Sequence, residues 1–508
     1  MEKHIIGIDI GTQGTKTSLF TLEGRIVAES IEASRLISPG PGVVEQDTDD
    51  IYFSVLNTIK ATIQKSGVSP NTVSAIGMDG QMAGILGIDG DWNALTPYDS
   101  WLDTRCGKYI DIIRQEAEEE VIQTTGCPVT YAHGPKVLWW KHERPEIYSR
   151  IKKFIQPTAY VAGRLTGLKA EQAYIDYTHL HFSGFGDILN QRWSDDLLEL
   201  FSVQKDKLPD IVEPWKVVGS LTADAASKSG LISGIPVVAG CGDQAATSLG
   251  AGVTSSGTIF DVSGTASVFS CCVDKYNPDI KNKTLVFPRS ILPDLWIPLA
   301  YIGGGGLCLK WFRDQLTWKG NQPPFSELDE EAAKVLPGSE GLFFIPHFGG
   351  RTCPNNPVVR GSWIGLNWVH SRSHMYRSVM ESIAYEYSLY FKIIKELAEE
   401  QKFSSVTAIG GGSKSSIFNS IKADVLGIPY NTLERGDTAT LGSAVVAGYG
   451  VKIYDNIKTA VDGMVSRQNE ILPDMKIHGS YKRNAEIYND LIKSLEGAYR
   501  RVGEAVNE

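Results

Sequence analysis

The stretch GIDIGTQGTKTSLF, residues 7–20, constrains the fold more than any other part of the chain. An apolar run carries one carboxylate, Asp9, in its middle. It turns on a loop of glycine and hydroxyl residues and continues as a second apolar run. This reads as two strands, 4–10 and 15–22, joined by a tight turn, with a carboxylate inside a buried segment. The pattern recurs in DVSGTAS, 261–267, where an aspartate again precedes a small polar turn. The two halves of the chain thus echo each other as a weak internal repeat.

The chain has 508 residues, more than one core usually covers, so two domains of roughly 250 residues are expected. Its net charge of −10 argues against a nucleic-acid binder that relies on a broad basic face. No apolar stretch reaches the roughly 18 residues of a membrane span, and no basic-plus-apolar leader opens the sequence. The seven cysteines are scattered, without a CxxC pair. They read as small buried side chains of a reduced, cytoplasmic protein.

Strands and helices alternate through both halves, which predicts an α/β architecture. Apolar spacing predicts a helix over 49–65 and a strand over 73–78. Further helices are expected over 145–153, 194–201, 374–399, 415–426, 439–450 and 482–501. Strands are expected over 236–241 and 405–409, with a hairpin over 260–270. The domain boundary is expected in GAGVTSSG, 250–257.

A glycine- and hydroxyl-rich turn presents backbone N–H groups to an anion. Two such turns would hold a polyphosphate from both sides, and Asp9 beside them would hold Mg²⁺ through water. AIGGGSKSS, 408–416, runs from a strand through three glycines to a helix N-terminus, which suits a nucleotide. There is no GxxxxGK[ST] sequence, which excludes a P-loop enzyme. The GxGxxG spacing of a dinucleotide fold is also absent. VVAGCGDQAATSLGAG, 237–252, places Asp243 and Gln244 in a small-residue loop, where an aspartate can accept a proton from a substrate hydroxyl. GMDGQMAG, 77–84, and SWLDTR, 100–105, set polar groups beside aromatic or apolar ones, as a polyol or sugar site needs. His179 and His181 in YTHLHF lack an evident third metal ligand. The acidic run EAEEE, 116–120, reads as a solvated helix face.

The chain resembles the FGGY family of carbohydrate kinases from residue 5 to about 450. GSWIGLNWVHSRSHMYRSVMESIAY, 361–385, is similar to the family's C-terminal signature at Gly361, Gly365, Leu366, His374, Met375, Ser378, Val379, Met380 and Glu381. YAHGPKVLWWKHE, 131–143, resembles the N-terminal signature at Tyr131, Lys136 and Trp139 and departs from it at His133 and Trp140. The resemblance implies two ribonuclease H-like, actin-like ATPase domains with an active-site cleft between them. These would be 1–248, binding sugar, and 249–508, binding ATP. It implies Asp243 as catalytic base and Asp9 as the metal-associated carboxylate for Mg²⁺. Thr12, with Gln13 and Gly14, would form the first phosphate loop, and Gly264 and Thr265 the second. Gly306, Gly411, Gly412 and Ser416 would line the nucleotide site. Gln81, Met82, Trp101, Asp103, Tyr131 and Gln244 would contact substrate, and domain closure would exclude water.

The acceptor implied is a small carbohydrate, with a ketopentose such as xylulose first. Where xylulokinases usually follow GQM with histidine, Ala83 stands here, so another ketose, a polyol or an aldonate remains open. The Arg-Glu pair of glycerol kinases is absent, since Met82-Ala83 occupies that position. By analogy the resemblance also suggests a homodimer. The rivals are an actin- or chaperone-like ATPase without a sugar substrate and a catalytically dead sugar sensor. Retention of Asp9, Thr12, Thr265 and Asp243 speaks against the sensor.

Overall fold

His4–Ile10 is a strand covered on both faces. Ile6, Ile8 and Ile10 join one apolar cluster with Val55, Ile59 and Val237, while Ile5 joins a second with Leu249, Leu441 and Val445. Such strands read as near-continuous apolar runs. This accounts for the lack of polar alternation around Asp9. A computed structural model of the protein describes residues 2–317, 320 and 322–507, with side chains through 504.

The chain forms two units, each discontinuous in sequence. The first comprises Met1–Thr254, Phe287–Ile297 and Asp437–Val465; the second comprises Ser255–Val286, Pro298–Gly436 and Ser466–Glu508. The break at Thr254/Ser255 lies within GAGVTSSG.

The main sheet of the first unit runs Val217–Ser220, Pro236–Val238, Val73–Gly80, His4–Ile10, Gly14–Thr21, Ile26–Ala33. His4–Ile10 pairs antiparallel with Gly14–Thr21 and parallel with Val73–Gly80. Thr48–Ser66 covers one face; Asp47 caps it by accepting from the amides of Asp49 and Asp50. Thr438–Gly450 covers the other. It packs backbone against backbone: a Cβ on Gly7 would lie 1.9 Å from the Thr440 carbonyl oxygen, and one on Gly77 2.1 Å from that of Ser443. Only glycine admits the helix this close.

The second unit repeats this topology. Its sheet runs Leu299–Ile302, Ser267–Cys271, Ile259–Ser263, Val406–Ile409, Tyr430–Leu433, Arg467–Ile471. Its first three strands in sequence form an antiparallel meander, Ile259–Ser263 pairs parallel with Val406–Ile409, and the last pair is antiparallel. Arg372–Leu397 and Ser416–Leu426 are its main buried helices.

Most expected elements form within a few residues of their predicted ends. The helix expected over 145–153 stops at Arg150. Its apolar tail becomes the strand Lys153–Ile155, because Phe154 and Ile155 are buried and the segment pairs with Leu86–Ile88. Gly107–Thr125 is a helix, and its acidic run includes exposed Glu119 and Glu120. Among the described residues no helix is long and apolar enough to cross a membrane.

Candidate active site

Strand pairing assembles the site of the first unit. Asp9 lies directly opposite Asp79 on the neighbouring parallel strand. Cys241–Gly242 pairs with Asp79–Gly80 on the far side, and the helix Asp243–Gly250 begins at the next residue. Asp9, Asp79 and Asp243 therefore meet at the carboxyl ends of three parallel segments, where open α/β sheets place their ligands.

Burial is the first cause of the perturbed ionisation of all three. It raises Asp9 to about 6 and Asp243 to about 7, the negative charge of Asp9 adding to the second shift. Asp79 stands well above the usual carboxylate range, through burial and then through repulsion by Asp9. The Asp9 and Asp79 carboxyls stand opposite each other across the parallel strand pair, and the charge of Asp9 acts on the ionisation of Asp79. Such a pair holds either a shared proton or a cation. Ser443 Oγ donates to Asp79 Oδ2 at 2.6 Å, while Asp79 Oδ1 receives no donor.

That orphan oxygen and the crowded carboxylates fit Mg²⁺, which takes oxygen ligands from one or two carboxylates and keeps most of its water. Among the described residues no three His, Cys, Asp or Glu side chains form a protein-only metal site.

A polar chain links the first turn to the polar side chains beside it. The turn closes through the Gly11 amide donating to the Gly14 carbonyl at 3.0 Å, with Gln13 exposed. Trp101 Nε1 donates to Thr12 Oγ1 at 2.8 Å, Thr12 Oγ1 donates to Gln81 Oε1 at 3.2 Å, and Gln81 Nε2 donates to Gln46 Oε1 at 2.6 Å. Met82 lies against Gly242, where an added Cβ would sit 2.4 Å from its methyl. Gln244 follows Asp243 in the first helical turn. Thr12, Gln81, Trp101, Met82, Asp243 and Gln244 are thus brought together around the carboxylates.

Asp103 differs from the others. Its carboxylate is fully engaged within the protein, accepting from the Val44 amide at 2.8 Å and from Arg105 Nε at 2.8 Å. Arg105 also reaches Glu45 at 2.6 Å and Asp99 at 3.4 Å and lies over the Trp139 ring. Lys136 is buried and donates to the carbonyls of Asp103 and Tyr131, which leaves Tyr131 at the rim of that cluster. His133 and Trp140, the departures from the signature, are core residues; Trp140 Nε1 donates to Asp99 Oδ2 at 2.5 Å.

In the second unit Gly264 and Thr265 form the turn between Ile259–Ser263 and Ser267–Cys271. A Cβ on Gly306 would lie 1.8 Å from the Gly264 carbonyl oxygen, and one on Gly412 2.5 Å from Ser263 Cβ. The helix Gly305–Gln315 starts beside that turn, with the Leu307 amide donating to the Thr265 carbonyl at 3.1 Å. Gly411 is exposed in a short 3₁₀ turn, and exposed Ser416 opens the following helix behind its cap Ser415. Gly264, Thr265, Gly306 and Gly412 thus converge, with Gly411 and Ser416 adjoining. Asp261 holds the strand position that corresponds to Asp9, but it is paired with buried Lys422 and accepts from Tyr387 at 2.8 Å.

The sequence reading missed three groups. Asp79 was legible as a second in-strand carboxylate in GMDGQMAG. Arg105 carried no signal beyond its place in SWLDTR. The pairing of Asp176 with His179 depends on a turn that spacing alone does not specify.

Two α/β units of one topology, one bearing a carboxylate cluster and the other a set of converging glycine loops, have the actin-like ATPase fold. Family models for the N-terminal and C-terminal domains of the FGGY family of carbohydrate kinases match residues 4–250 and 262–451. The chain belongs to that family and is a carbohydrate kinase, a phosphotransferase with an alcohol group as acceptor; kinases of this family use ATP as phosphate donor. Among its relatives are a xylulose kinase of Bacillus subtilis, 26% identical over 96% of each chain, and a gluconokinase of the same organism, 26% identical over 99% of this chain and 98% of that one. The crystal structure of gluconate kinase from Lactobacillus acidophilus shares the fold with a TM-score of 0.90 at 24% identity, covering 99% of this chain and all of that one.

Proposed function

We propose that the protein transfers the γ-phosphoryl group of ATP to a hydroxyl of a small neutral carbohydrate, with the ketopentose xylulose as first candidate. The observation that carries this reading is the meeting of Asp9, Asp79 and Asp243 beside the turn that holds Thr12. Asp243, raised to about 7, is poised to take the proton of the acceptor hydroxyl near neutral pH. Gln81, Met82, Trp101 and Gln244 orient the acceptor, with Tyr131 at the edge of its site. Asp103 acts at one remove, by fixing Arg105 and the segment at Val44. The amides around Thr12 to Gly14 and around Gly264 and Thr265 receive phosphate oxygens. Gly306, Gly411, Gly412 and Ser416 receive the nucleoside. Asp9, with Asp79 behind it, would hold Mg²⁺ through water; when bound, the ion neutralises phosphate charge.

The gluconokinase relatives raise a second reading, an aldonate acceptor. The cations beside the acceptor residues favour the neutral sugar: Arg105 is held by Glu45, Asp99 and Asp103, and Lys136 by two carbonyls. Neither is left to pair with a substrate carboxylate.

The test is ADP release from Mg·ATP with a panel of ketopentoses, ketohexoses, pentitols, glycerol and aldonates. Stimulation by xylulose or another neutral sugar is expected. Selective turnover of gluconate would replace the acceptor assignment, and a slow background indifferent to every acceptor would sink the kinase mechanism itself.

A further inference from the structure

In the second unit one buried cation joins the two loops read as the nucleotide site. Ser263 ends the strand Ile259–Ser263, and the turn of Gly264 and Thr265 follows directly. The glycine loop rests on the same residue: a Cβ on Gly410 would lie 2.8 Å from the Ser263 carbonyl oxygen, and one on Gly412 2.5 Å from its Cβ. Lys422, in the helix Ser416–Leu426 that follows the glycine loop, is wholly buried. Its ammonium pairs with Asp261 Oδ2 and donates to Ser263 Oγ at 3.2 Å. Ser263 Oγ donates to Asp261 Oδ1 at 2.8 Å, and the Tyr387 hydroxyl donates to the same oxygen at 2.8 Å. Asn419, on the same helix as Lys422, donates to the Ser413 carbonyl of the glycine loop at 2.8 Å.

Lysine is almost never buried without a partner, and here both carboxylate oxygens of Asp261 and the Ser263 hydroxyl are engaged with it or with each other. Exchanging such a pair for apolar groups of similar volume is often neutral or stabilising. Core stability therefore does not account for a saturated ion pair at this place. What the pair fixes is geometry. From Lys422 one link runs to the strand before the phosphate turn, while its own helix carries the glycine loop. The two loops cannot shift independently while that link holds. Amides on two separate loops serve one ligand only where their spacing is set before it binds.

We propose that Lys422 is a positioning residue for the nucleotide: through Asp261 and Ser263 it holds the turn of Gly264 and Thr265 and the loop of Gly411 and Gly412 at the separation at which both contact one ATP molecule. This rests on the reading of those loops as the nucleotide site. Lys422 touches no ligand itself, being closed off from solvent. Its effect falls on nucleotide affinity and leaves acceptor affinity alone.

The double substitution Asp261→Asn with Lys422→Met removes the link without stranding a buried charge and nearly keeps the shapes of both side chains. It should weaken ADP binding, measured by titration calorimetry without acceptor, by at least about fivefold. KM for ATP should rise by a similar factor, with KM for the acceptor within about twofold of the parent. A smaller loss of ADP affinity would overturn the proposal, even with a lowered Tm, because the pair would then be merely structural. Equal rises in both KM values would overturn it too, as the mark of a general distortion. If the double variant does not fold, Ser263→Ala decides, since it leaves the ion pair whole and cuts the turn's own link to it. A loss of ADP affinity of about threefold or more there supports the proposal, and a smaller one overturns it. Gly411→Leu tests the loop assignment separately, at a position where an added Cβ meets nothing within 4 Å. ADP affinity unchanged there removes the nucleotide loop. Affinity lost there, with the double variant like the parent, removes only the role of Lys422.

Discussion

Each aspartate acts according to what surrounds it. Asp9 and Asp261 occupy the same place in two copies of one sheet, before the same kind of turn. Asp261 is neutralised by Lys422 and closed off, whereas Asp9 faces Asp79 and Asp243. A buried carboxylate raised in the native state binds protons more tightly there than in the unfolded chain. Its stabilising effect is present below the unfolded value of 3.8 and is lost as pH rises through the native value, about 6 for Asp9 and about 7 for Asp243. Stability should therefore fall across that window while activity rises, since the base must be ionised to work. Turnover is expected to decline below about pH 7 in a pH–rate profile. Asp243→Asn should abolish turnover yet raise Tm at pH 8, by about 1–2 °C for each kcal/mol of desolvation and repulsion relieved. A mutant melting lower at pH 8 than the parent would refute the account of a strained carboxylate cluster.

Among the elements, the helix Thr438–Gly450 couples stability to the site. It lies on Gly7 and Gly77 with no room for a methyl group, and it delivers Ser443 to Asp79. Gly77→Ala should force the helix away, at a cost of about 1–3 kcal/mol. It should also lengthen the Ser443–Asp79 bond and lower kcat. Urea denaturation with parallel kinetics checks both. Unchanged stability would mean that the helix can shift freely. The glycine was visible in the sequence, but the partner that makes it obligatory lies more than 350 residues away and could not be read from local pattern.

For the molecule as a whole, chain order and packing part company. Asp437–Val465 and Phe287–Ile297 belong to the first unit although they follow the Thr254/Ser255 break. The apolar cluster around Ile5, Phe20, Ala75 and Val238 is completed by Leu441, Val445 and Val446. A chain of residues 1–254 alone would expose that face, and it should aggregate or lack a cooperative melting transition in calorimetry. A sharp transition and a monomeric elution profile would show that the first unit folds without its returning segments.

The sequence by itself determined the alternating α/β architecture and the paired turns with their aspartates, while the family resemblance pointed to Asp9, Thr12, Gln81 and Asp243. Apolar runs, glycine placement and turn chemistry are local signals, and they survive without knowledge of the partner. Only the tertiary structure decided that Asp79 completes the carboxylate cluster and that Asp103 is engaged by Arg105. Only it showed that His179 is clamped by Asp176 and that a segment from the far end of the chain closes the first core. Those facts depend on strand register and on burial between residues distant in sequence, and no local pattern encodes which buried charge will be left without a partner.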